Sequence, residues 1–323
     1  MLRLSIVIPA LRRVELLENS LVSVLQHRPA DTEVILVHSE PYADPHGLEG
    51  EIRLVAAPSG ASLVETANLG FRHARGPIVH LLGCGAEVTE GWTDEPLRQF
   101  ADDRVAAVAS LVLNLRRPQQ TLSAGVAWSR GGRAFQRCAG RPAAKAAAAK
   151  AKVLGPSSLA AFYRKSVLVN LRGLEPWAGD ALADVEMALR IRELDMECRF
   201  EPQSLVYADG TAAPLAGFRA ARAAERIYRR HRAKFGWTAA LMHPFSIAAE
   251  CLASIARPAM LTAPIGRLAA RLERPSDGLT EAADAVTGAA DTSSRTGLRL
   301  DTPHAARPTR NAETRKSWAS ASK

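Results

Sequence analysis

Apolar residues in the first third of the chain repeat with two alternating periods. Leu4, Ile6 and Ile8 form a β-branched-rich run closed by Pro9, and Val14, Leu17, Leu21, Val24 and Leu25 then recur at three-and-four spacing between charged residues. That pattern predicts strand, loop and helix. Glu33 to Val37 reads as a second buried strand and Arg53 to Val55 as a short third. Leu63, Val64, Ala67, Phe71 and Ala74 mark another amphipathic helix, stopped by Gly76 and Pro77, and Ile78 to Leu82 a fourth strand. Alternation of this kind predicts an α/β fold, a mostly parallel sheet with helices on both faces, in which ligands gather beyond the carboxyl ends of the strands. The loops at Pro9, His38 and Gly83 are therefore the site candidates.

Beyond Leu82 the pattern loosens. A strand is expected over Val105 to Leu113. Residues 114–152 are rich in Arg, Gly, Pro and Ala and include the run AAKAAAAKAK; a surface loop or short solvated helix is the plain reading, a mobile flap over a site the sharper one. Strand character resumes over Val153 to Tyr163. Asp180 to Leu194 reads as a helix, Cys198 to Glu201 and Leu205 to Tyr207 as short strands, and Ala213 to Phe235 as a basic, Ala-rich helix.

From Trp237 to Leu272 the chain is apolar but interrupted by Pro244, Pro258 and Pro264, and no stretch of about eighteen uncharged apolar residues exists to span a bilayer. Its piece Phe245 to Ala256, flanked by Arg257, Arg267 and Arg271, suits an anionic membrane surface; helices packed back on the domain or on a partner are the alternative. Residues 274–323 are polar and nearly free of large apolar groups, a composition that leaves a chain disordered. The expected division is a domain over 1–235, an apolar helical extension over 236–273 and a disordered tail over 274–323.

Composition narrows the partners. The 42 basic against 33 acidic residues give +9, which favours anionic partners such as nucleotide diphosphates or phospholipid headgroups. Nucleic acid is disfavoured, because aromatics make up only 5% and no stacking or groove-reading motif appears. Cys84, Cys138, Cys198 and Cys251 form no CxxC pair, so neither a zinc site nor a disulfide framework is suggested and a reducing cytoplasm fits. The opening MLRLSIVIPA lacks the apolar core and cleavage site of a signal peptide and reads as a first strand.

Three stretches, in order and spacing, resemble glycosyltransferase family 2: SIVIPALRRVELLENSLVSVL at 5–25, ETANLGFRHARGPIVHLLGCGAEVTEGW at 65–92, and GLEPWAGDALADVEMALRIRELDMECRFEP at 173–202. The resemblance covers roughly residues 1–235. It implies the GT-A fold, a Rossmann-like mixed sheet, mostly parallel, here followed by a C-terminal helical extension. It also implies transfer of a sugar from a nucleotide-sugar to a glycan or glycolipid acceptor for surface polysaccharide or glycolipid. In the family the stretch around Asp184 usually reads Glu-Asp, and the Asp is the catalytic base; here Ala183 replaces the Glu. Inverting transfer needs a carboxylate opposite the leaving diphosphate to take the acceptor's proton, and Asp184 at a helix N-terminus would face the pocket. The commoner role for an isolated Asp at such a place is an N-cap.

The leaving group is where the chain departs from the family. Mg²⁺ or Mn²⁺ held by a DxD-type pair and a later histidine is usual there, but Gly83 and Gly85 fall in the acidic slots and Ala208 in the histidine's. No metal or other cofactor is therefore expected. Glu87 and Asp209 are stand-in ligands or, more simply, solvated acids. Arg12, Arg13, Arg72, Arg75 and Arg164 are the cations available to replace a metal electrostatically, and Arg13 matches a frequent family Arg. The nucleotide-sugar contacts that the resemblance implies are Pro9, Ala10, Arg13, His38, Asn68, Gly83, Cys84 and Gly85. Asn68 is either a support for the nucleotide loop or a buried helix-face amide, and Trp177 either stacks on an acceptor sugar or joins the core. His38, His73 and His80 are too scattered for a metal site.

The sequence thus reads as a family 2-like, inverting glycosyltransferase with a degenerate metal site, cytoplasmic and peripheral at the inner face of a membrane. An inactive pseudo-glycosyltransferase that binds or scaffolds is the alternative.

Overall fold

The central strand is buried on both faces, and the chain is arranged around that fact. The computed structural model describes residues 2–11, 14–40, 42, 44, 47–209, 217–256 and 262–273. Strand β1 (Leu4–Ala10) is followed by α1 (Val14–His27), β2 (Thr32–His38), β3 (Ile52–Ala56), α2 (Leu63–His73) and β4 (Ile78–Leu82). Leu4, Ile6 and Ile8 pack against Leu17, Leu21 and Val24 of α1, while Val7 points the other way onto Val64, Ala67 and Phe71 of α2. Each such side chain contributes about 1.5–3 kcal/mol by leaving water. Helix α2 starts on a capping box, Ser62 and Glu65 each bonding the other's backbone N–H.

The chain continues through β5 (Ala86–Val88), α3 (Asp94–Gln99), β6 (Val105–Asn114), β7 (Arg117–Ser123), β8 (Val126–Trp128), β9 (Ala134–Gln136), α4 (Ala143–Ala147), β10 (Ala160–Arg164), α5 (Lys165–Asn170), α6 (Gly179–Glu193) and β11 (Glu197–Ala208). The sheet runs β3-β2-β1-β4-β10-β6-β11-β5, with β7 on β6. β1, β2, β3 and β4 pair in parallel, β10 lies antiparallel between β4 and β6, and β11 is parallel to β6. The chain steps from β1 outward to β2 and β3, then returns to place β4 on β1's other side. The crevice beyond the carboxyl ends of β1 and β4 is thus the topological switch point, where an open α/β sheet receives its ligand.

Several segments differ from the sequence expectation. Within 114–152 the structure forms β7, the β8–β9 hairpin and α4, because β6 is long enough to template an edge strand and Ala146 of the Ala run packs on the sheet beside Leu111 and Phe200. Residues 153–159 are irregular, since Gly155 and Pro156 delay the strand to Ala160. The two short strands expected around Pro202 are one strand with a register shift between Glu201 and Leu205; Glu201 fills the break by accepting from the Gln203 N–H and the Gln99 amide.

Helices α7 (Phe218–Phe235), α8 (Trp237–Ala256) and α9 (Thr262–Leu272) complete the described chain. Arg229 donates to the Ala270 carbonyl, and the Tyr228 hydroxyl to the Ala239 carbonyl, fixing α9 and α8 on α7. No described helix is long and apolar enough to cross a membrane. The expected tail over 274–323 lies outside the described residues.

Candidate active site

At the switch point, Pro9 and Ala10 end β1 beside Val37 and His38 of β2. The Ser39 N–H donates to the Ala10 carbonyl, and the His38 Nδ1 lies 2.9 Å from the Glu40 carbonyl. Val7 pairs with Leu81 on the other side, so the turn Gly83–Cys84–Gly85 leaves β4 level with the end of β1. Arg13 lies outside the described residues.

That turn is pinned. The Gly83 N–H donates to the Leu159 carbonyl at 2.9 Å, and the Gly85 N–H donates to Ser20 Oγ at 2.9 Å. Gly85 has φ +85° and Leu16 crowds the space a side chain would need, so the position requires glycine. The segment that receives Gly83 continues to Ser158, whose N–H donates to Asp184 Oδ2 at 3.1 Å. Residues 155–159 therefore bridge the β4–β5 turn and α6. The structure brings Gly83 and Asp184 to one place, which their separation in sequence does not reveal.

Asp184 is not at a helix N-terminus. Helix α6 begins at Gly179, so Asp184 sits in its second turn and caps nothing; the end of a neighbouring helix is served by Asp180, whose carboxylate accepts from the Val64 N–H. The Asp184 carboxyl is 3% exposed. Burial pushes it up to about 6, against the opposing pull of hydrogen bonds from Ser158 and Val185. Near it lies the Tyr163 phenol, buried and, among the described residues, without a hydrogen-bond partner; burial first, then the Asp184 charge, holds its pKa well above the ordinary value.

Two residues further on, Glu186 is fully buried. Its Oε2 meets His231 Nε2 of α7 at 2.9 Å, and the other ring nitrogen meets Glu193 at 2.9 Å. Its Oε1 lacks a hydrogen bond but lies 3.5 Å from Arg230 Nε, an electrostatic contact too long to satisfy it. Burial would lower the His231 pKa, but the bonds to Glu186 and Glu193 outweigh it and the net shift is upward.

The approach to α6 is clamped as well. The Asn68 amide donates to and accepts from the Leu174 backbone, both at 2.8 Å, and Arg190 donates to the Leu171 and Gly173 carbonyls while pairing with Glu175. The Asn68 side chain is thus spent on the turn leading to Trp177. Trp177 is half-buried between two core clusters, with the Arg230 guanidinium 5.6 Å from its ring centroid.

Of the cations considered for the leaving group, Arg12 lies, like Arg13, outside the described residues, and the other three lie elsewhere. Arg72 lies in the last turn of α2 and Arg75 just beyond it, at the amino edge of the sheet, where the Arg75 N–H bonds Ser5 and Glu33. Arg164 is spent on the Phe100, Asp102 and Val105 carbonyls. His80 is enclosed against Phe162 and burial pushes it down to about 3, so it stays neutral.

A divalent cation does not fit the described residues here. Gly83 and Gly85 offer no side-chain donor, Asp209 is paired with Arg116 at 2.8 Å, and no group of three or more His, Cys, Asp or Glu comes together among the described residues. Ser158, Leu159, Tyr163 and Ser20 escaped the sequence reading. The Gly155-Pro156 break was the one signal that could have separated Ser158 from the strand after it.

No family model matches the chain, and no curated protein does. Solved structures do. A mannosyltransferase from Pyrobaculum calidifontis, solved with GDP-Man and Mn²⁺, is 20% identical over 90% of this chain and 80% of its own, with a TM-score of 0.52. GalNAc-T7, solved with UDP, GalNAc and Mn²⁺, is 15% identical over 89% of this chain with a TM-score of 0.57. This chain spans 57% of that structure's length. The fold is the GT-A fold of glycosyltransferases.

Proposed function

We propose that the protein transfers a sugar from a nucleoside diphosphate sugar to a glycan or glycolipid hydroxyl, with inversion and without a bound divalent cation. Asp184 is the base: it takes the hydroxyl proton as the acceptor oxygen bonds the anomeric carbon and the nucleoside diphosphate departs from the opposite face. The observation that carries this reading is the buried carboxylate of Asp184, tied through Ser158 and Leu159 to the turn at the switch point. Its pKa of about 6 suits a base that works near neutral pH, because it is ionised there yet closer in affinity to the proton it takes than a solvated carboxylate. Pro9, Ala10, His38, Gly83, Cys84 and Gly85 form the donor side, Arg13 belongs with them by sequence, and Trp177 and its turn, held by Asn68, form the acceptor side. GDP-Man in one similar structure, and UDP with GalNAc in the other, support the donor class. The domain spans 1–235, and the extension over 236–273 makes a peripheral membrane contact at the cytoplasmic face.

A second reading is a pseudo-glycosyltransferase that binds without turnover. It is favoured by the same carboxylate's 3% exposure and by the absence of side-chain donors at Gly83 and Gly85. Calorimetry against UDP-, GDP- and dTDP-sugars, with EDTA present, separates the two. The transferase binds one of them and turns it over, and Asp184→Asn keeps binding while losing about 10²–10⁴ in rate. Binding with no turnover on any acceptor supports the second reading, and no binding at all overturns both.

A further inference from the structure

The two C-terminal helices are built inside out. On α8 the inward side carries His243, 5% exposed, and Glu250, while Trp237, Leu241, Phe245 and Leu252 face outward at 56–78% exposure. On α9 the inward side carries Arg267, 3% exposed, and Ile265 and Leu268 face out at about 60%. The inward groups close on one another. Glu225 of α7 bonds His243 at 3.0 Å and Arg271 at 2.8 Å, and Arg267 reaches both Glu225 and Glu250. Burial alone would push Glu225 up; the bonds from His243 and Arg271 outweigh it and leave it at about 2. Helices that bathe in water show the reverse pattern, so the outward face is shaped for an apolar neighbour.

Those buried polar groups also hold something in place. His243 Nδ1–H donates to the Gly131 carbonyl at 2.9 Å, and Arg267 reaches the Gly132 carbonyl at 3.4 Å. The β8–β9 turn is thereby pressed against α8 so closely that any Cβ at Gly131 would collide with Ser246. The residues on either side of that glycine pair are Arg130 and Arg133, both exposed, and no carboxylate pairs with either among the described residues. Exposed Arg232 adds a third cation in the last turn of α7, next to the start of α8. Between Arg104 and Leu174 the sequence has no acidic residue to neutralise the turn.

We infer that the outward face of α8 and α9 seats on an anionic phospholipid surface, with Arg130 and Arg133 of the β8–β9 turn contacting the headgroups beside it. This fixes which face of the helices is engaged and adds the turn to the peripheral contact proposed above; it rests on that contact and on none of the sugar chemistry. A lipid is favoured over a protein because the exposed large side chains of α8 are apolar throughout and its border is cationic. A protein interface would bring hydrogen-bonding groups and a rim of both signs. Trp237, 78% exposed, stands at the end of α8 next to the basic turn of α7, as an interfacial anchor does. Of the cations that the sequence alone placed here, Arg267 faces inward, Arg271 bonds Glu225, and Arg257 lies outside the described residues.

Sedimentation of the full chain with vesicles tests this. Vesicles of phosphatidylcholine mixed with phosphatidylglycerol bind the natural chain, and binding weakens as salt is raised; phosphatidylcholine alone binds it far less. Arg130→Ala and Arg133→Ala each weaken partition about fivefold, and together about 25-fold. Phe245→Ser with Leu252→Ser abolishes it. Equal binding to both vesicle types overturns the inference. So does a stable dimer in free solution that Phe245→Ser dissociates, since the face then belongs to a second copy. The lipid comparison uses the natural chain, so a variant that fails to fold leaves the test intact. Nucleotide-sugar calorimetry on the same preparation keeps a failure here distinct from a failure of the transferase reading.

Discussion

The two sides of the crevice handle charge in opposite ways. At the β4–β5 turn the Gly83 and Gly85 positions carry no ionisable group, and the glycine amides are spent on the Leu159 carbonyl and Ser20 Oγ. Across the 155–159 bridge, α6 carries Asp184 and Glu186 in the interior on different faces, one turned to Ser158 and the other to His231 of α7. The difference teaches that the electrostatic work of this site sits on α6. The turn supplies shape, and substitutions on the two sides differ accordingly in size and in pH dependence.

The largest effect is expected at His231. Removing it by His231→Ala leaves Glu186 buried with only the longer-range charges of Arg230 and Arg190 for compensation, and breaking a buried pair from one side costs about 3–5 kcal/mol. The sign with pH follows from the raised pKa. The histidine's contribution is fully present below its unfolded value of about 6.5 and is lost as pH rises through the folded value. Urea unfolding at pH 6 and pH 9 measures both; a loss under about 1 kcal/mol at pH 6 would remove α6 from the comparison.

Next in size is Asp184→Asn, with the opposite sign. An acid whose pKa rises on folding destabilises the fold once pH exceeds its unfolded value, so its stability is intact below about 4 and is lost as pH climbs through about 6. The neutral amide removes that cost, worth about 2–3 kcal/mol at pH 8 and nothing near pH 4. Thermal melts at the two pH values check it. A carboxylate kept only for structure would lose stability on the same change, so a variant that is more stable at pH 8 yet loses turnover marks a residue retained for chemistry.

How much of this was legible follows from where each contact closes. The run from β1 to β4 was readable because every strand and helix there buries a face against a neighbour close in sequence, and the 2.0 and 3.6 periods record it. The edge at β7 to α4 was not, since its residues are polar and one alanine, Ala146, does the packing. For the site, motif spacing singled out Gly83 and Asp184. It could not place them on either side of Ser158 and Leu159, because Gly83 reaches Leu159 backbone to backbone and Asp184 is met by the Ser158 backbone N–H, contacts between segments far apart in sequence that side-chain type barely records. The apolar run of α8 was visible, but its three-dimensional sense was not: a period tells that a helix has two faces, and only Glu225 and Gly131, far off in sequence, decide which one turns inward.

The smallest effects belong to the turn, where Gly83 and Gly85 are chemically alike and structurally different. Gly85→Ala forces a side chain into φ +85° with Leu16 Cβ at 3.3 Å from the new atom, costing about 1–2 kcal/mol. Gly83 has no positive φ, and its added Cβ meets the Leu159 carbonyl oxygen at 3.3 Å, a contact that a small shift of the bridge relieves for under about 1 kcal/mol. That asymmetry selects Gly83→Asp as the way to put an acid back. In the donor reading it adds a carboxylate level with the end of β1, and nucleotide binding should become stronger with Mn²⁺ present and fall back with EDTA. Calorimetry with and without the cation reads this directly. If Gly83→Asp binds nucleotide identically under both conditions while Gly85→Ala costs no more than Gly83→Ala, the turn is neither the donor side nor the strained element described, and the contrast with α6 collapses from its weaker end.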